Sequence, residues 1–466
     1  MKREVLRLDR VSCLDHGVVQ LDGFNLSVIS GEIVGLFPIN NHGLTALINL
    51  LQYNTALRYG YVYYLEEQVN TWRSSKQRSN RIGFIQSESC LVDGLTVADN
   101  IFVLRPGFKQ WFVKTSLLRK QLIPFLESIN IYIPADAYAD ELSAFEKIVV
   151  DVLKSVVAGY KLIVLREISV NISESELKKI HQLLKNYSEQ GFSFLYIDFH
   201  FEELIKVCGK IALMANGRIV KYFQSDAVSG SVLGEDFHSY LKAFSGIQEQ
   251  TPLKEAELFS KTDDHGFEAR NVCGEFVSGL SFTLPPGECV LIQSAEAVIL
   301  SEIISLVSGE IQIKSGTLLI DNVPLRRKYN EIAIMQELPV KMMLFPEMSY
   351  TDNLCFLMDK NLPEVWRSGA VREGVRRECA PVLGDVFDKR IDVLSEVQKY
   401  DLLYTRIALG KPKVVFCVRP FRRADMRLRT HIRHLIKMLL AKGIAVVILS
   451  ANSEDGLSLA NQVIKI

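Results

Sequence analysis

Two segments of the 466-residue chain have the residue order of a phosphate-binding loop without its charge. In the first, Gly31-Glu32-Ile33-Val34-Gly35-Leu36-Phe37 leads into Pro38-Ile39-Asn40-Asn41-His42-Gly43-Leu44-Thr45. In the second, Gly287-Glu288-Cys289-Val290-Leu291-Ile292-Gln293 leads into Ser294-Ala295-Glu296-Ala297-Val298-Ile299-Leu300-Ser301-Glu302. Such a loop works because glycines let backbone amides close round phosphate oxygens while a lysine neutralises them. Here leucine stands at both lysine positions, Leu44 and Leu300. Pro38 replaces the leading glycine, donates no hydrogen bond and fixes φ. Ser294 and Ile299 replace both glycines of the second loop, and Glu296 and Glu302 add negative charge beside the phosphate position. The groups left to serve a phosphate are Asn40, Asn41, Gly43 and Thr45 in the first loop and Ser301 in the second. A charge-assisted contact of the lost kind is worth about 1.5–3 kcal/mol. Binding of Mg-ATP is therefore expected to be weak or absent, and no metal site is expected.

These loops belong to a larger repetition. Leu95–Phe102 returns as Met348–Phe356, and Glu141-Leu142-Ser143 as Val393-Leu394-Ser395. Lys161–Leu165 returns as Lys413–Cys417, and Phe194–Ile197 as Val446–Leu449. The offset stays near 250 residues, too long for a solenoid or propeller unit and suited to duplication of a whole domain. Within each copy, short β-branched runs alternate with amphipathic stretches, which predicts an α/β fold with a mostly parallel sheet. Leu162–Leu165 and Phe194–Ile197 read as buried strands. Between them Ser173 and Glu176 form a capping box, and Leu177, Ile180, Leu183 and Leu184 recur at helical spacing. The expected domains are 1–245 and 266–466, joined by a linker over 246–265 around the polar run Gln248–Pro252. The first copy continues past its last matching strand through Gly217–Val220, so the second reads as C-terminally short.

Composition narrows the function classes. Lys plus Arg and Asp plus Glu are balanced at 54 each, for zero formal net charge. A general nucleic-acid binder would show a basic excess, so no nucleic-acid partner is expected. No run approaches the roughly 18 apolar residues of a membrane span, and the charged start reads as no signal peptide. The eight cysteines form no Cys-x-x-Cys pair, so neither a disulfide framework nor a zinc site is indicated. A cytoplasmic location is expected, with any membrane association only through a partner.

Order, spacing and duplication together resemble the duplicated ATP-binding subunits of sugar-type ABC importers, the ribose and galactose kind, over nearly the whole chain. The segments that carry the resemblance are the two loops above, Ile82–Ser89, Leu142-Ser143, Leu344–Ser349 and Lys413–Pro420. It implies two tandem ABC-type nucleotide-binding folds, P-loop NTPase-like, each with a parallel-sheet core, an antiparallel subdomain and a helical subdomain. It also implies where catalytic residues should be. At the Walker B acids stand Arg166 and Glu167 in the first copy, Val418 and Arg419 in the second. An arginine about 4 Å from a divalent ion would cost roughly 8 kcal/mol at an effective dielectric near 20. Glu167 is the one residual catalytic candidate, read here as the partner of Arg166 rather than a retained base.

The other family positions are altered as well. Phe199 and Ala451 occupy the switch-histidine places, with His200 one residue late and expected at the surface. Ser87 takes the Q-loop position beside a displaced Gln86, and Asp15 and His16 stand where an adenine-stacking aromatic belongs. The signature segments read Leu142-Ser143-Ala144-Phe145-Glu146 and Leu394-Ser395-Glu396-Val397-Gln398. Ser143 and Ser395 are their remnants, with Phe145 expected to obstruct and Glu396 to repel. Family pairing would set Leu44 against Glu396 and Leu300 against Phe145, leaving neither composite site intact. A permease-facing surface would fall on Glu88, Asp99, Asn100, Asp352 and Asn353, the alternative being plain helices with a capping asparagine. The expected role is a structural or regulatory partner of a permease or of an active ATPase homologue, at the inner face of the cell membrane through that partner. Two alternatives stand beside it: a transport ATPase using Arg166, Arg419 or His42 as substitute cations, and a module binding another anion or a protein segment.

Overall fold

The computed structural model describes residues 3–15, 17–73, 79–86, 89–102, 132–224, 266–294, 296–325, 331–356, 369–383, 386–451 and 454–466, and every structural statement below concerns those residues. The chain divides into two compact units, Met1–Gln248 and Glu249–Ile466. The expected linker, 246–265, lies outside the described residues.

Unit 1 runs β1 (Glu4–Asp15), β2 (Val18–Ile29), β3 (Ile33–Pro38), α1 (Leu44–Tyr53), β4 (Tyr59–Tyr64), β5 (Glu67–Thr71), β6 (Gly83–Gln86) and α2 (Val97–Phe102). It continues through α3 (Ala144–Val157), β7 (Leu162–Arg166), α4 (Glu174–Glu189), β8 (Ser193–Ile197), α5 (Phe201–Val207), β9 (Lys210–Ala215) and β10 (Arg218–Gln224). One sheet has the order β2-β1-β4-β5 and the other β10-β9-β3-β8-β7-β6. In the second sheet β3 and β6 to β9 are parallel, and β10 is antiparallel to β9. β8 and the first four residues of β7 are buried along their length, as a sheet covered on both faces requires of continuous apolar runs. Helix α4 starts where the capping box predicts, with Ser173 and Glu176 each accepting from the other's amide.

Unit 2 runs β11 (Phe267–Cys273), β12 (Leu280–Leu284), β13 (Cys289–Gln293), α6 (Ala297–Ser308), β14 (Ser315–Ile320), β15 (Val323–Pro324), β16 (Ile332–Met335), α7 (Pro339–Met343) and α8 (Tyr350–Cys355). Then follow α9 (Gly369–Leu383), α10 (Glu396–Leu409), β17 (Val414–Val418), α11 (Met426–Ala441), β18 (Ala445–Ser450), α12 (Glu454–Leu457) and β19 (Gln462–Lys465). Its sheets have the orders β12-β11-β14-β15 and β16-β17-β18-β13-β19. The second order matches β6-β7-β8-β3-β9 strand for strand, so the repetition in the sequence is a repetition of topology. The carboxyl ends of β3, β7 and β8, and of β13, β17 and β18, therefore gather at one edge of each sheet, where open α/β sheets carry their sites. Among the described residues no helix is long and apolar enough to cross a membrane.

Candidate nucleotide-binding sites

In unit 1 the loop after β3 is tied to its own surroundings. β3 extends through Pro38, which pairs with Met214 on β9, and the Ile39 amide donates to the Met214 carbonyl at 2.8 Å. Gly43 precedes α1 at φ 80, and a Cβ there would lie 2.3 Å from the Gln20 carbonyl oxygen. Only glycine can take that conformation at that distance. Asn40 Nδ2 donates to Asn216 Oδ1 at 2.8 Å, and Asn40 Oδ1 accepts from the Asn216 amide. His42 Nε2 lies 2.8 Å from the Val19 carbonyl oxygen. Leu44 is 1 % exposed and packs in the core cluster with Leu21, Val34 and Leu47. Asn41 and Thr45 are exposed.

Unit 2 repeats this replacement of charge by packing: Leu300 is buried and Ser301 exposed. Glu296 precedes α6, and its amide donates to Ser294 Oγ at 3.3 Å. The sequence expectation for Glu302 needs correction. Its carboxylate is directed to the β11–β12 turn, where it accepts from the amides of Glu275, Phe276 and Val277.

At the Walker B positions the two units match in backbone. Glu167 has φ 52 and donates its amide to the Ile197 carbonyl; Arg419 has φ 43 and donates to the Leu449 carbonyl. Arg166 Nε is 3.0 Å from Glu167 Oε1, so both side chains are engaged with each other. In unit 2, Ile332 pairs with Val414 and Met335 with Cys417, whereas in unit 1 Gly83 pairs with Ile163 and Gln86 with Arg166. That register makes Glu337 the counterpart of Ser87, the Q-loop position. Glu337 Oε1 accepts from Arg419 Nη1 at 3.3 Å and also from Arg422 Nη1. A carboxylate stands where the family resemblance expects an amide and a guanidinium where it expects a carboxylate, and the two close on each other. Among the described residues no group of three or more His, Cys, Asp or Glu side chains could hold a metal ion.

His200 is buried, contrary to the sequence expectation. Its Nδ1 and its amide both lie 2.9 Å from Asp198 Oδ1, and Ser169 Oγ donates to Asp198 Oδ2 at 2.8 Å. The expectation assumed strand alternation, but β8 ends at Ile197, and the period of two has no hold on residues beyond it. Burial raises the Asp198 pKa, but the hydrogen bonds and charge of His200 with the Ser169 hydroxyl outweigh it, leaving the carboxyl below its usual range. Phe199 packs in the core.

Ser143 and Ser395 act as helix caps. Each accepts from the amide of the third helical residue, Glu146 or Gln398, whose side chain returns the bond. Phe145 is buried, so it presents no obstruction at the surface; the helix beginning at Ala144 turns it inward. Asn100 and Asn353 are both fully buried, which excludes them from any partner-facing surface. Asn100 Oδ1 accepts from the Val92 amide at 2.8 Å and its Nδ2 donates to the carbonyls of Val92, Leu95 and Thr96. Asn353 repeats this with Phe345, Met348 and Ser349. Asp99 and Asp352 accept from Thr96 and Ser349 hydroxyls at 2.7 Å each, and Asp352 also lies 3.3 Å from Arg372. Glu88 lies outside the described residues, as do Ser87 and His16. Beside the braced loop of unit 1 is a cleft of about 360 Å³ lined by Gln86, Ser89, Leu91, Asp93, Ala144, Lys147 and Ile148.

Sequence reasoning missed Glu337, Asp198 and the true partners of Glu302. A signal existed only for Glu337, an acid two residues beyond the strand run Ile332–Met335.

The family model described as ABC transporter matches residues 21–170. Ribose import ATP-binding protein RbsA of Clostridium perfringens is 22 % identical, over 98 % of this chain and 93 % of its own. Galactose/methyl galactoside import ATP-binding protein MglA of Treponema denticola is 21 % identical, over 95 % of this chain and 90 % of its own. A solved ATP-binding cassette of an ABC transporter in its ADP conformation aligns with 52 % of this chain and 98 % of that one, at 19 % identity and a TM-score of 0.44.

Proposed function

We propose that the chain is a non-hydrolysing cassette subunit of the ABC transporter kind, a structural or regulatory partner of a carbohydrate permease or of an active homologous ATPase; the family match over residues 21–170 and the full-length likeness to sugar-import ATP-binding proteins support this. The observation that carries this reading is the pairing of arginine at both Walker B ends, Arg166 with Glu167 and Arg419 with Glu337. A divalent ion there would meet a guanidinium where the family supplies a carboxylate, and like charges at that range repel strongly. Leu44 and Leu300, buried in their cores, leave no lysine to neutralise a phosphate. The carbohydrate permease follows from the sugar-import names of the relatives. The cleft beside Leu91 and Asp93 supports a docking role in unit 1, since the braced loop holds a recess of fixed shape.

The test is titration of the full chain with ATP, with and without magnesium, beside a phosphate-release assay. No turnover and no magnesium-dependent binding are expected. Hydrolysis that disappears on Glu167→Gln would overturn the reading. Tight Mg-ATP binding lost on Arg166→Ala would replace it with an atypical ATPase.

A further inference from the structure

The turn that joins β11 to β12 presents three successive backbone amides to one carboxylate. Glu302 Oε2 accepts from Phe276 at 2.8 Å and Val277 at 2.6 Å, and Oε1 accepts from Glu275. The turn is closed by the Gly274 amide donating to the Val277 carbonyl at 2.8 Å. A Cβ on Gly274 would lie 2.3 Å from Glu302 Oε1, so glycine is what lets the carboxylate sit this deep. The Glu302 side chain is buried, on the second turn of α6. Burial raises its pKa, but the three amide donors and the charge of Lys314 outweigh that and hold the carboxyl below its usual range. Convergent backbone amides of this kind form an anion-binding concavity.

Unit 1 supplies an internal control. There the last residue of β1, Asp15, pairs directly with the first of β2, Val18, and the position matching Glu302 is Ala46. The longer turn and the carboxylate that fills it thus occur together, in one unit and not the other. The donors belong to a turn rather than a helix end, so the carboxylate is not a helix cap. We propose that the β11–β12 turn is an oxyanion-binding site filled in the native chain by Glu302 as a tethered ligand, and that a small carboxylate or phosphate oxyanion takes its place when that side chain is removed. The contact clamps the turn to α6, so unit 2 holds this loop closed by its own side chain. The inference stands on these contacts alone and does not depend on whether the chain hydrolyses ATP.

The full chain and its Glu302→Ala variant are compared by thermal unfolding and by hydrogen exchange at residues 275–277, in sodium formate, sodium phosphate or sodium chloride at matched ionic strength. The variant is expected to melt about 4–8 °C lower and to lose at least about tenfold protection at those amides. Formate or phosphate should restore both, saturably, in the variant alone; chloride should not. Unchanged protection in the variant, or an equal anion response in both proteins, overturns the proposal. Should Glu302→Ala fail to fold, Glu302→Gln serves: it keeps a neutral acceptor and fills the space. It should show partial loss of protection and no response to formate, and unchanged protection would again overturn the proposal. ATP turnover by the native chain would refute the non-hydrolysing reading and leave this result untouched.

Discussion

Replacing Leu44 by lysine separates a lost lysine from a rebuilt core. If the leucine were simply an empty substitution at a phosphate-facing position, Leu44→Lys would be harmless and would begin to restore binding. The structure gives the opposite expectation, because Leu44 is 1 % exposed in the cluster that includes Leu21, Val34 and Leu47. Removing a fully buried leucine forfeits about 1.5–3 kcal/mol. Placing the polar end of a lysine in that cluster without a partner costs roughly 1–3 kcal/mol more. The sum is about 2.5–6 kcal/mol, and for a domain of this size that lowers melting by roughly 5–24 °C. Differential scanning calorimetry of the full chain measures the shift, and a parallel run with Mg-ATP reports any gain of binding. Leu44→Met preserves volume and should cost less than about 1.5 kcal/mol. A Leu44→Lys variant that melts within about 2 °C of the native chain and is stabilised by Mg-ATP would refute the argument.

Two further perturbations probe the frame. Asn100→Ala removes a side chain that holds the Val92 amide and three turn carbonyls, and Asn353→Ala does the same beside Phe345. Each should destabilise its unit by about 2–3 kcal/mol and raise hydrogen exchange in its loop; a loss below about 0.5 kcal/mol in either would count against the bracing role. His181 gives a pH dependence. Burial, then the charges of Lys206 and Lys185, push its pKa from 6.5 down to about 4 against the opposing pull of Asp198. The unfolded chain thus takes up the proton first, and stability present above pH 6.5 is lost as pH falls towards 4. At about 1.4 kcal/mol per pH unit that interval is worth about 3 kcal/mol. Denaturant titrations across it should show the loss in the native chain and a correspondingly flatter profile in His181→Phe, whose ring forfeits no hydrogen bond at the Nε2 position. Identical profiles would contradict the burial argument.

How much was legible depended on the range of the forces involved. The α4 cap needed only residues three apart in sequence, and Ser173 with Glu176 were read correctly from that. Buried parallel strands announce themselves as unbroken apolar runs, which is why Leu162–Leu165 and Phe194–Ile197 were found where the sheet has them. The tandem repetition was visible because duplicated topology preserves spacing. What failed was direction. His200 was judged by the alternation of a strand that had already ended, and Phe145 by its side-chain bulk rather than the inward face of the helix it begins. Asn100 was read as part of a permease-facing surface, with a helix cap as the alternative, and its contacts with Val92 and Leu95 require a folded-back loop that no periodicity encodes. Glu302 finds its donors 25 to 27 positions away across a turn, beyond any local rule.

The pairing of Glu337 with Arg419 and Arg422 bears on how such a site reaches this state. Family chemistry would place an amide at the Glu337 position and a carboxylate at the Arg419 position. Changing only the second buries a guanidinium with no carboxylate opposite it; changing only the first sets two carboxylates against each other. Breaking a buried pair by removal of one partner costs about 3–5 kcal/mol, a large share of the roughly 5–15 kcal/mol that holds a domain together. The two replacements therefore support one another, and Arg422 on the same carboxylate oxygen deepens the commitment. The same logic runs through Leu44 and Leu300, now part of their cores, and through Glu302, now seated on three amides. A site that had merely lost residues would leave unpaired charge and empty volume at the strand ends. Here the side chains are interlocked, so changing one of them alone towards the residue an ATPase site would carry is uphill.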